Sequence, residues 1–322
     1  MSVLVYTENW EGKFKKLSFE LVSYGYELAQ KTGGSLTVLS IGNVAEEELK
    51  KLGQYGATKV VAVNDDKVKS LENQAYTSVI EQVAKKEASK IVIFANNFAG
   101  KAVAPRVSVK LKAGLASSVV GLPISYEPFK VSKRVFNGNA FSNITVKSDV
   151  KIVTLLQNSY GIFENPVETA IENYNAELED SYGTKVTSVD KITGKVILTD
   201  AEIVVSAGRG MKGPENWTTI EELADVLGAA TACSRPVSDE GWRPHSEHVG
   251  QTGKIIAPDL YFAIGISGAI QHLGGISGSK CIVAINRDPE APIFEAADYG
   301  IVGDAFKVLP ELLGAVKELK NS

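Results

Sequence analysis

The chain has 322 residues, with 34 lysines and arginines against 38 aspartates and glutamates, and a formal net charge of -4. At roughly 100–200 residues per domain, this length predicts two domains. The mild acidity argues against a nucleic-acid binder, which needs a basic surface to neutralise phosphates. No apolar stretch approaches the roughly 20 residues that span a bilayer, and no secretion signal is seen at the N-terminus, so we expect a cytoplasmic protein without membrane insertion.

Strands and helices alternate over the first hundred residues. Short apolar runs predict strands, and apolar residues spaced by three and four predict helices. The predicted strands are Val3–Tyr6, Ser35–Ile41, Thr58–Val63 and Ile91–Ala95, and the predicted helices are Phe14–Lys31, Ala45–Leu52, Glu72–Lys86 and Ala102–Lys112. This alternation is typical of βαβ units and of a parallel sheet covered on both faces.

The middle of the chain changes character after Gly114. Turns there separate four further predicted strands, Ser117–Ile124, Arg134–Phe136, Ile144–Lys147 and Ile152–Leu156. Residues 157–192 are polar and irregular. We therefore predict an α/β protein of two domains, 1–192 and 193–322, each built on a mainly parallel sheet with flanking helices.

The last third alternates again and is rich in glycine, with 15 of the 29 glycines in residues 201–322. The predicted strands are Ile203–Val205, Leu260–Ile264, Cys281–Ile285 and Ile301–Val302, and the predicted helices are Thr218–Leu227, a short one from Ala269, and Val308–Leu319. Glycine marks turns and the close approach of backbone to ligands, so we expect the chemistry in this part of the chain.

Polar motifs stand at the carboxyl ends of these predicted strands, where open α/β sheets bind ligands. Gly208-Arg209-Gly210 follows one strand, although the third glycine of the dinucleotide fingerprint is absent. Ser267–His272 follows another, and its hydroxyl and N–H groups suit a pyrophosphate. Each motif also has a purely structural interpretation. The first would be a tight turn with a solvated arginine, and the second a capped helix with a buried histidine.

Four other candidates are more ambiguous. Asn286 and Asp304 follow apolar runs and suit a ribose or adenine, or else cap the next element. Ser234-Arg235 follows a predicted helical stretch, and Val249–Lys254 forms a loop with amide, hydroxyl and ammonium groups or a plain surface turn. His245 and His248 do not predict a metal site, because Pro244 disfavours a helix and no third ligand is indicated.

Taken together, Val205–Gly210, Val249–Lys254, Gly265–His272 and Ile282–Phe294 closely resemble the alpha subunit family of electron transfer flavoproteins. The order and spacing match through Ala297–Val302 and Asp304, over about residues 201–310, and the N-terminal part matches more loosely. The resemblance implies a nucleotide-binding-like N-terminal domain and a doubly wound C-terminal domain that binds FAD. It assigns to FAD the residues Arg209, Ser234, Arg235, Val249, Gly250, Gln251, Thr252, Ser267, Gly268, Ala269, Ile270, Gln271, His272, Asn286 and Asp304.

The same resemblance implies roles and partners. Arg209 and Ser267–Ile270 would hold the pyrophosphate, Thr252 the flavin N5 edge and His272 the flavin O2 carbonyl. The chain would pair with a beta subunit that carries AMP or a second FAD. The heterodimer would take electrons from acyl-CoA dehydrogenases or other flavin dehydrogenases and deliver them to a quinone oxidoreductase, acting as a carrier rather than an enzyme.

Three other functions are alternatives to this interpretation. A bifurcating, NADH-linked member of the family is the main alternative, although Gln251–Lys254 favours the carrier. A nicotinamide-dependent dehydrogenase lacks support, because the sequence has neither the full glycine fingerprint nor an obvious acid–base pair. A non-redox nucleotide-binding module is the third possibility.

Overall fold

The computed structural model describes residues 1–136, 140–184, 186–188 and 196–321. These residues fall into two compact units, the first formed by 1–135, 140–184 and 186–188, and the second by 196–321 together with Phe136. The predicted boundary between residues 192 and 193 lies outside the described residues.

The first unit holds twelve strands and four α-helices within its described residues. In chain order they are β1 (Val3–Thr7), β2 (Asn9–Trp10), β3 (Lys13–Phe14), α1 (Lys16–Thr32), β4 (Leu36–Ile41), α2 (Glu46–Lys50), β5 (Lys59–Val63), α3 (Asn73–Lys86), β6 (Ile91–Ala95), α4 (Phe98–Leu111), β7 (Gly114–Val119), β8 (Ser125–Tyr126), β9 (Phe129–Val135), β10 (Ala140–Thr145), β11 (Lys151–Leu155) and β12 (Ala170–Asn173).

One large sheet organises this unit, in the order β10-β9-β7-β11-β6-β1-β4-β5-β12, with β8 beside β9. The pairs from β7 to β12 are parallel, and β9 and β10 add an antiparallel edge. Alternate residues of β1 enter opposite cores: Val3 and Val5 pack with α1, and Leu4 packs with α3 and α4. The two apolar faces explain why the central strands are continuous hydrophobic runs.

The second unit holds five strands and five α-helices within its described residues. They are β13 (Ile203–Ala207), α5 (Thr218–Leu227), β14 (Ala230–Cys233), α6 (Arg235–Asp239), β15 (Leu260–Ile264), α7 (Ile270–Ile276), β16 (Cys281–Asn286), α8 (Ile293–Ala296), β17 (Tyr299–Val302) and α9 (Ala305–Asn321).

The sheet of the second unit is parallel throughout, in the order β14-β13-β15-β16-β17. Val205 on β13 packs in one core with α5 and α9, and its neighbour Val204 packs in the other core with Ile276 of α7 and Ile293 of α8. The strand order is that of flavodoxin-like doubly wound sheets. In these sheets the direction in which successive strands are added reverses, here between β13 and β15. Ligands of such sheets bind at the carboxyl ends of the strands beside this reversal.

The predicted fold class is confirmed, and the differences lie in short elements. The segment 157–192, predicted to be irregular, contributes β12, which pairs with β5 at the edge of the first sheet. Ser234 does not follow a helical stretch, as predicted, but the strand β14. Among the described residues, no helix is both long and apolar enough to cross a bilayer.

Candidate functional site

The sequence-predicted site residues meet at the carboxyl edge of the second sheet. Ser234 follows β14, Arg209 follows β13, and Ser267 follows β15. Asn286 ends β16, and Asp304 lies two residues beyond β17. Neighbouring strands are about 4.8 Å apart, so these strand ends span about 19 Å, which suits an extended ligand laid across the edge.

Glycine forms the floor of the site where β13 and β15 end. The N–H of Gly208 donates to the Ile264 carbonyl at 2.9 Å, and that of Gly210 donates to the Gly265 carbonyl at 3.1 Å. A Cβ at position 208 would lie 2.4 Å from the Gly265 oxygen, and one at position 210 would lie 2.6 Å from Gly265 Cα. Any side chain at position 208 or 210 would push the two backbones apart. The two glycines therefore form a close turn, although the third glycine of the dinucleotide fingerprint is absent.

The turn after β15 presents a run of unpaired amides. Among the described residues, none accepts a hydrogen bond from the backbone N–H groups of residues 267–271. Gly268 has a φ of +88°, and a Cβ there would lie 2.2 Å from the Ile293 nitrogen. Glycine therefore allows the turn, and successive free N–H groups form a concavity that binds anions.

A cleft beside this turn is lined by positively charged side chains. It brings together three predicted residues, Arg209, Asn286 and Asp304. It also contains two cations that sequence analysis missed, Lys212 and Arg287. Arg287 directly follows Asn286 at the end of β16, and this place after a strand end could have predicted it as a site residue. Three cations against one carboxylate make the cleft suited to a phosphate-bearing ligand.

Asn286 and Asp304 also hold the protein around the cleft together. Asn286 donates from Nδ2 to the Ile266 carbonyl at 2.9 Å, and its Oδ1 accepts from the Asp288 N–H at 3.0 Å. Asp304 Oδ1 accepts from the Phe306 N–H at 3.0 Å and so caps α9. The structural roles considered for both residues are therefore present in the fold.

A turn formed by residues 249–254 lies at the other end of the site. The N–H of Val249 donates to the Cys233 carbonyl at 3.0 Å, and His248 forms an isolated parallel bridge with Cys233, so this segment lies beside the end of β14. The N–H of Gln251 donates to the Gln271 carbonyl of α7 at 2.9 Å. A Cβ on Gly275 of α7 would lie 2.6 Å from the Gly250 Cα. The structure therefore brings together Val249–Thr252 and the start of α7, which are far apart in sequence.

His272 is buried within this contact, with only 6% of its surface exposed. Its Nε2 lies 2.9 Å from the Tyr261 hydroxyl, whereas Nδ1 is buried and has no partner of ordinary hydrogen-bond geometry in the described structure. Burial lowers the pKa of His272 to about 4; the Val249 backbone opposes this shift and nearby His248 adds to it. The imidazole is therefore neutral at physiological pH.

Two predicted cations lie exposed near the strand ends. Arg209 has a nitrogen 3.6 Å from the Glu240 carboxylate, and Arg235 has its Nε 3.3 Å from Asp239. Exposed pairs of this kind contribute about 0–1 kcal/mol, so an incoming phosphate can compete for either arginine. Ser234 is buried and caps the start of α6 through its carbonyl, which accepts from Val237.

The segment before the 249–254 turn is fixed by a partly buried arginine that sequence analysis missed. Arg243 donates to both carboxylate oxygens of Glu247, at 2.7 and 2.9 Å, and to Glu221 of α5 at 2.6 Å. Its guanidinium also lies 5.6 Å from the centroid of the Trp217 ring. His248, which ends this segment, is buried, and burial lowers its pKa.

These features fit the FAD that the sequence resemblance implies. The unpaired amides at 267–271 are donors that would suit an anionic pyrophosphate, and the glycine floor leaves the space in which it could approach. Across the described residues, no group of three or more His, Cys, Asp or Glu side chains is placed to hold a metal ion.

Family profiles match both units. Residues 3–189 match the electron transfer flavoprotein domain, and residues 197–277 match the electron transfer flavoprotein FAD-binding domain. The second match contains the glycine floor, the 249–254 turn and the unpaired amides. FAD is therefore the cofactor of the second unit.

Whole-length relatives agree with these profiles. The chain is 36% identical to electron transfer flavoprotein subunit alpha of Thermoanaerobacterium thermosaccharolyticum, over 99% of this chain and 98% of the relative. It is also 36% identical to the subunit alpha of Bacillus subtilis, over 98% of each chain. The acryloyl-CoA reductase electron transfer subunit beta of Anaerotignum propionicum is 33% identical, over 99% of this chain and 96% of the relative. The fold, the site and these matches agree, and the chain belongs to the electron transfer flavoprotein alpha subunit family.

Proposed function

We propose that this chain is the FAD-carrying subunit of a heterodimeric electron transfer flavoprotein. It receives electrons from acyl-CoA dehydrogenases or similar flavin dehydrogenases and passes them to a quinone oxidoreductase. The observation that carries this proposal is the run of unpaired amides at 267–271, beside a glycine floor, within the segment that matches the FAD-binding domain.

The strand ends suggest how the cofactor is held. Residues 267–271 and Arg209 bind the pyrophosphate through N–H groups and a charge-assisted pair. The cleft containing Asn286 and Asp304 holds the adenosine end. Ser234, Arg235 and Val249–Thr252 surround the flavin end, and His272 supports them from within the protein.

FAD supplies the redox chemistry, and the protein supplies orientation and electrostatics. Arg235 is an exposed cation at the flavin end, and residues 249–252 are held there by bonds to Cys233 and Gln271. Preorganised donors and cations stabilise negative charge that develops on a bound group. His272 contributes no positive charge at physiological pH because burial lowers its pKa to about 4.

The partner subunit completes the carrier in this proposal. The relatives' names identify alpha subunits, and the proposed partner is the beta subunit, carrying AMP or a second FAD. The dehydrogenase and the quinone oxidoreductase are separate proteins that exchange electrons with the heterodimer. The chain itself turns over no substrate and serves as a carrier located in the cytoplasm.

Co-expression with the beta subunit tests this function. We expect a yellow heterodimer with about one FAD on this chain, reduced by an acyl-CoA dehydrogenase with its substrate and reoxidised by a quinone oxidoreductase. Gly268→Ala, which obstructs the phosphate turn, is the matched variant and should lose the flavin of this chain. A colourless wild-type heterodimer would reject the proposal and favour a non-redox nucleotide-binding module.

The bifurcating, NADH-linked type is the second candidate. The relative from Anaerotignum propionicum is named as an electron transfer subunit of acryloyl-CoA reductase. Similar chains therefore include one that is named for a reductase. The same preparation separates the two functions. Two flavins per heterodimer and direct reduction by NADH would establish the second candidate, whereas one flavin and no reaction with NADH would establish the first.

A further inference from the structure

Tyr261 is the buried partner of His272. It lies on β15, its side chain is fully buried, and its hydroxyl is 2.9 Å from Nε2 of His272. Burial raises the pKa of the Tyr261 hydroxyl far above physiological pH, so the group keeps its proton. A buried hydroxyl that retains its proton requires an acceptor, because an unsatisfied buried donor costs about 1–3 kcal/mol.

The direction of this hydrogen bond follows from the neighbouring groups. Ser206 is also close to the Tyr261 hydroxyl, but within the described structure its Oγ makes no hydrogen bond of ordinary geometry. Nε2 of His272 is therefore the acceptor for the Tyr261 proton. A neutral imidazole that accepts at Nε2 carries its own proton on Nδ1.

The Val249 backbone also acts on the imidazole. It raises the pKa of His272, although Nδ1 makes no hydrogen bond of ordinary geometry within the described structure. Val249 begins the turn at the flavin end of the site, and its own N–H is bonded to Cys233. The histidine thus lies between β15 and the turn.

We propose that Tyr261 is a positioning residue for the flavin end of the site: its hydroxyl donates to Nε2 of His272 and keeps the imidazole proton on Nδ1, beside Val249. The inference rests on the proposed function and adds to it a residue that does not touch the cofactor. Tyr261 acts by fixing the orientation of His272, and His272 in turn supports Val249–Thr252. The chain of contacts connects the sheet, α7 and the turn.

The full-length chain allows a direct test because it contains only three histidines. Imidazole nitrogen shifts of the ¹⁵N-histidine-labelled chain at pH 7.5, without FAD, should show His272 protonated on Nδ1. Tyr261→Phe removes the hydroxyl and keeps the ring, and it should shift His272 to a mixture of tautomers. Tyr24→Phe is the matched control, since Tyr24 is a fully buried tyrosine of the first unit whose hydroxyl donates to the Gly121 carbonyl at 3.2 Å.

FAD binding gives the second readout. Loss of one neutral hydrogen bond should weaken FAD binding by the heterodimer about three- to tenfold for Tyr261→Phe, with no change for Tyr24→Phe. A wild-type His272 protonated on Nε2, an unchanged tautomer in Tyr261→Phe, or equal FAD affinity of that variant would overturn the inference. Failure of the wild type to bind FAD would overturn the proposed function instead, because the tautomer measurement needs no cofactor.

Discussion

Gly268 shows how a single residue determines whether the site can form. Its φ is +88°, and an added Cβ would lie 2.2 Å from the Ile293 nitrogen. We expect Gly268→Ala to lower the free energy of unfolding by about 1–3 kcal/mol, because the alanine is strained in this conformation. Urea unfolding of the full-length chain measures the change.

Gly314→Ala is the control for this prediction. Gly314 lies within α9, and a Cβ there would meet nothing within 4 Å. Alanine favours a helix interior, so this variant should raise the free energy of unfolding by about 0.5–1 kcal/mol. Equal effects of the two alanines would show that the turn after β15 does not depend on glycine.

His272 makes the stability of the second unit depend on pH. Its folded-state pKa is lowered to about 4, whereas an unfolded histidine titrates near 6.5. The unfolded chain therefore binds more protons between these values, and the stabilising contribution is complete above about pH 6.5 and declines as the pH falls toward 4. The shift corresponds to at most roughly 3 kcal/mol.

Urea unfolding at pH 7.5 and pH 5, followed by tryptophan fluorescence, measures this decline, since the buried Trp217 reports on the second unit. His272→Gln should reduce the difference between the two pH values. His245→Gln should change that difference less than His272→Gln, because His245 is exposed and acts on the pKa of the neighbouring His248. If His272→Gln leaves the pH dependence intact, the burial of His272 is not its cause.

At the scale of elements, Arg243 fixes the segment that leads into the flavin end of the site. Its guanidinium bonds to Glu247 and Glu221, and its side chain is only 13% exposed. Arg243→Ala removes the cation that pairs with the buried Glu247 carboxylate, so we expect a loss of about 3 kcal/mol in the free energy of unfolding. Faster amide hydrogen exchange at residues 249–252 should accompany this loss.

Lys280→Ala gives the comparison for Arg243. Lys280 pairs with Asp259 at 2.9 Å in the same unit, but its side chain is 51% exposed. An exposed pair contributes about 0–1 kcal/mol, so the exchange of residues 249–252 should not change. An Arg243→Ala chain with the exchange rates of the wild type would show that the 249–254 turn is held without this arginine.

The elements that sequence analysis predicted are those with long apolar patterns. β15 and β16 are buried runs bounded by glycine or polar residues, and both were identified from the sequence. β14 was missed because Ala230–Cys233 is short and contains two alanines, which favour strands weakly. β12 was missed because Ala170–Asn173 is polar and gains its strand conformation by pairing with β5.

At the scale of the whole chain, the sequence predicted which residues end the strands, but not how they meet. The order of strands in the second sheet places Gly208–Gly210 beside Gly265, and no local pattern encodes that neighbourhood. The same long-range packing buries His272 against Tyr261. It also brings Lys212 and Arg287 to the cleft with Arg209. Tertiary contacts between distant segments therefore determine the parts of the site that motifs did not show.

We propose that FAD lies across the carboxyl edge of the second sheet, with its pyrophosphate on the amides of residues 267–271. Amide hydrogen exchange of the heterodimer, with and without FAD, measures whether these amides hold the cofactor. We expect strong protection of residues 267–271 on FAD binding, because these N–H groups have no acceptor within the described structure. Unchanged exchange at these residues, with FAD bound and other residues protected, would refute this placement.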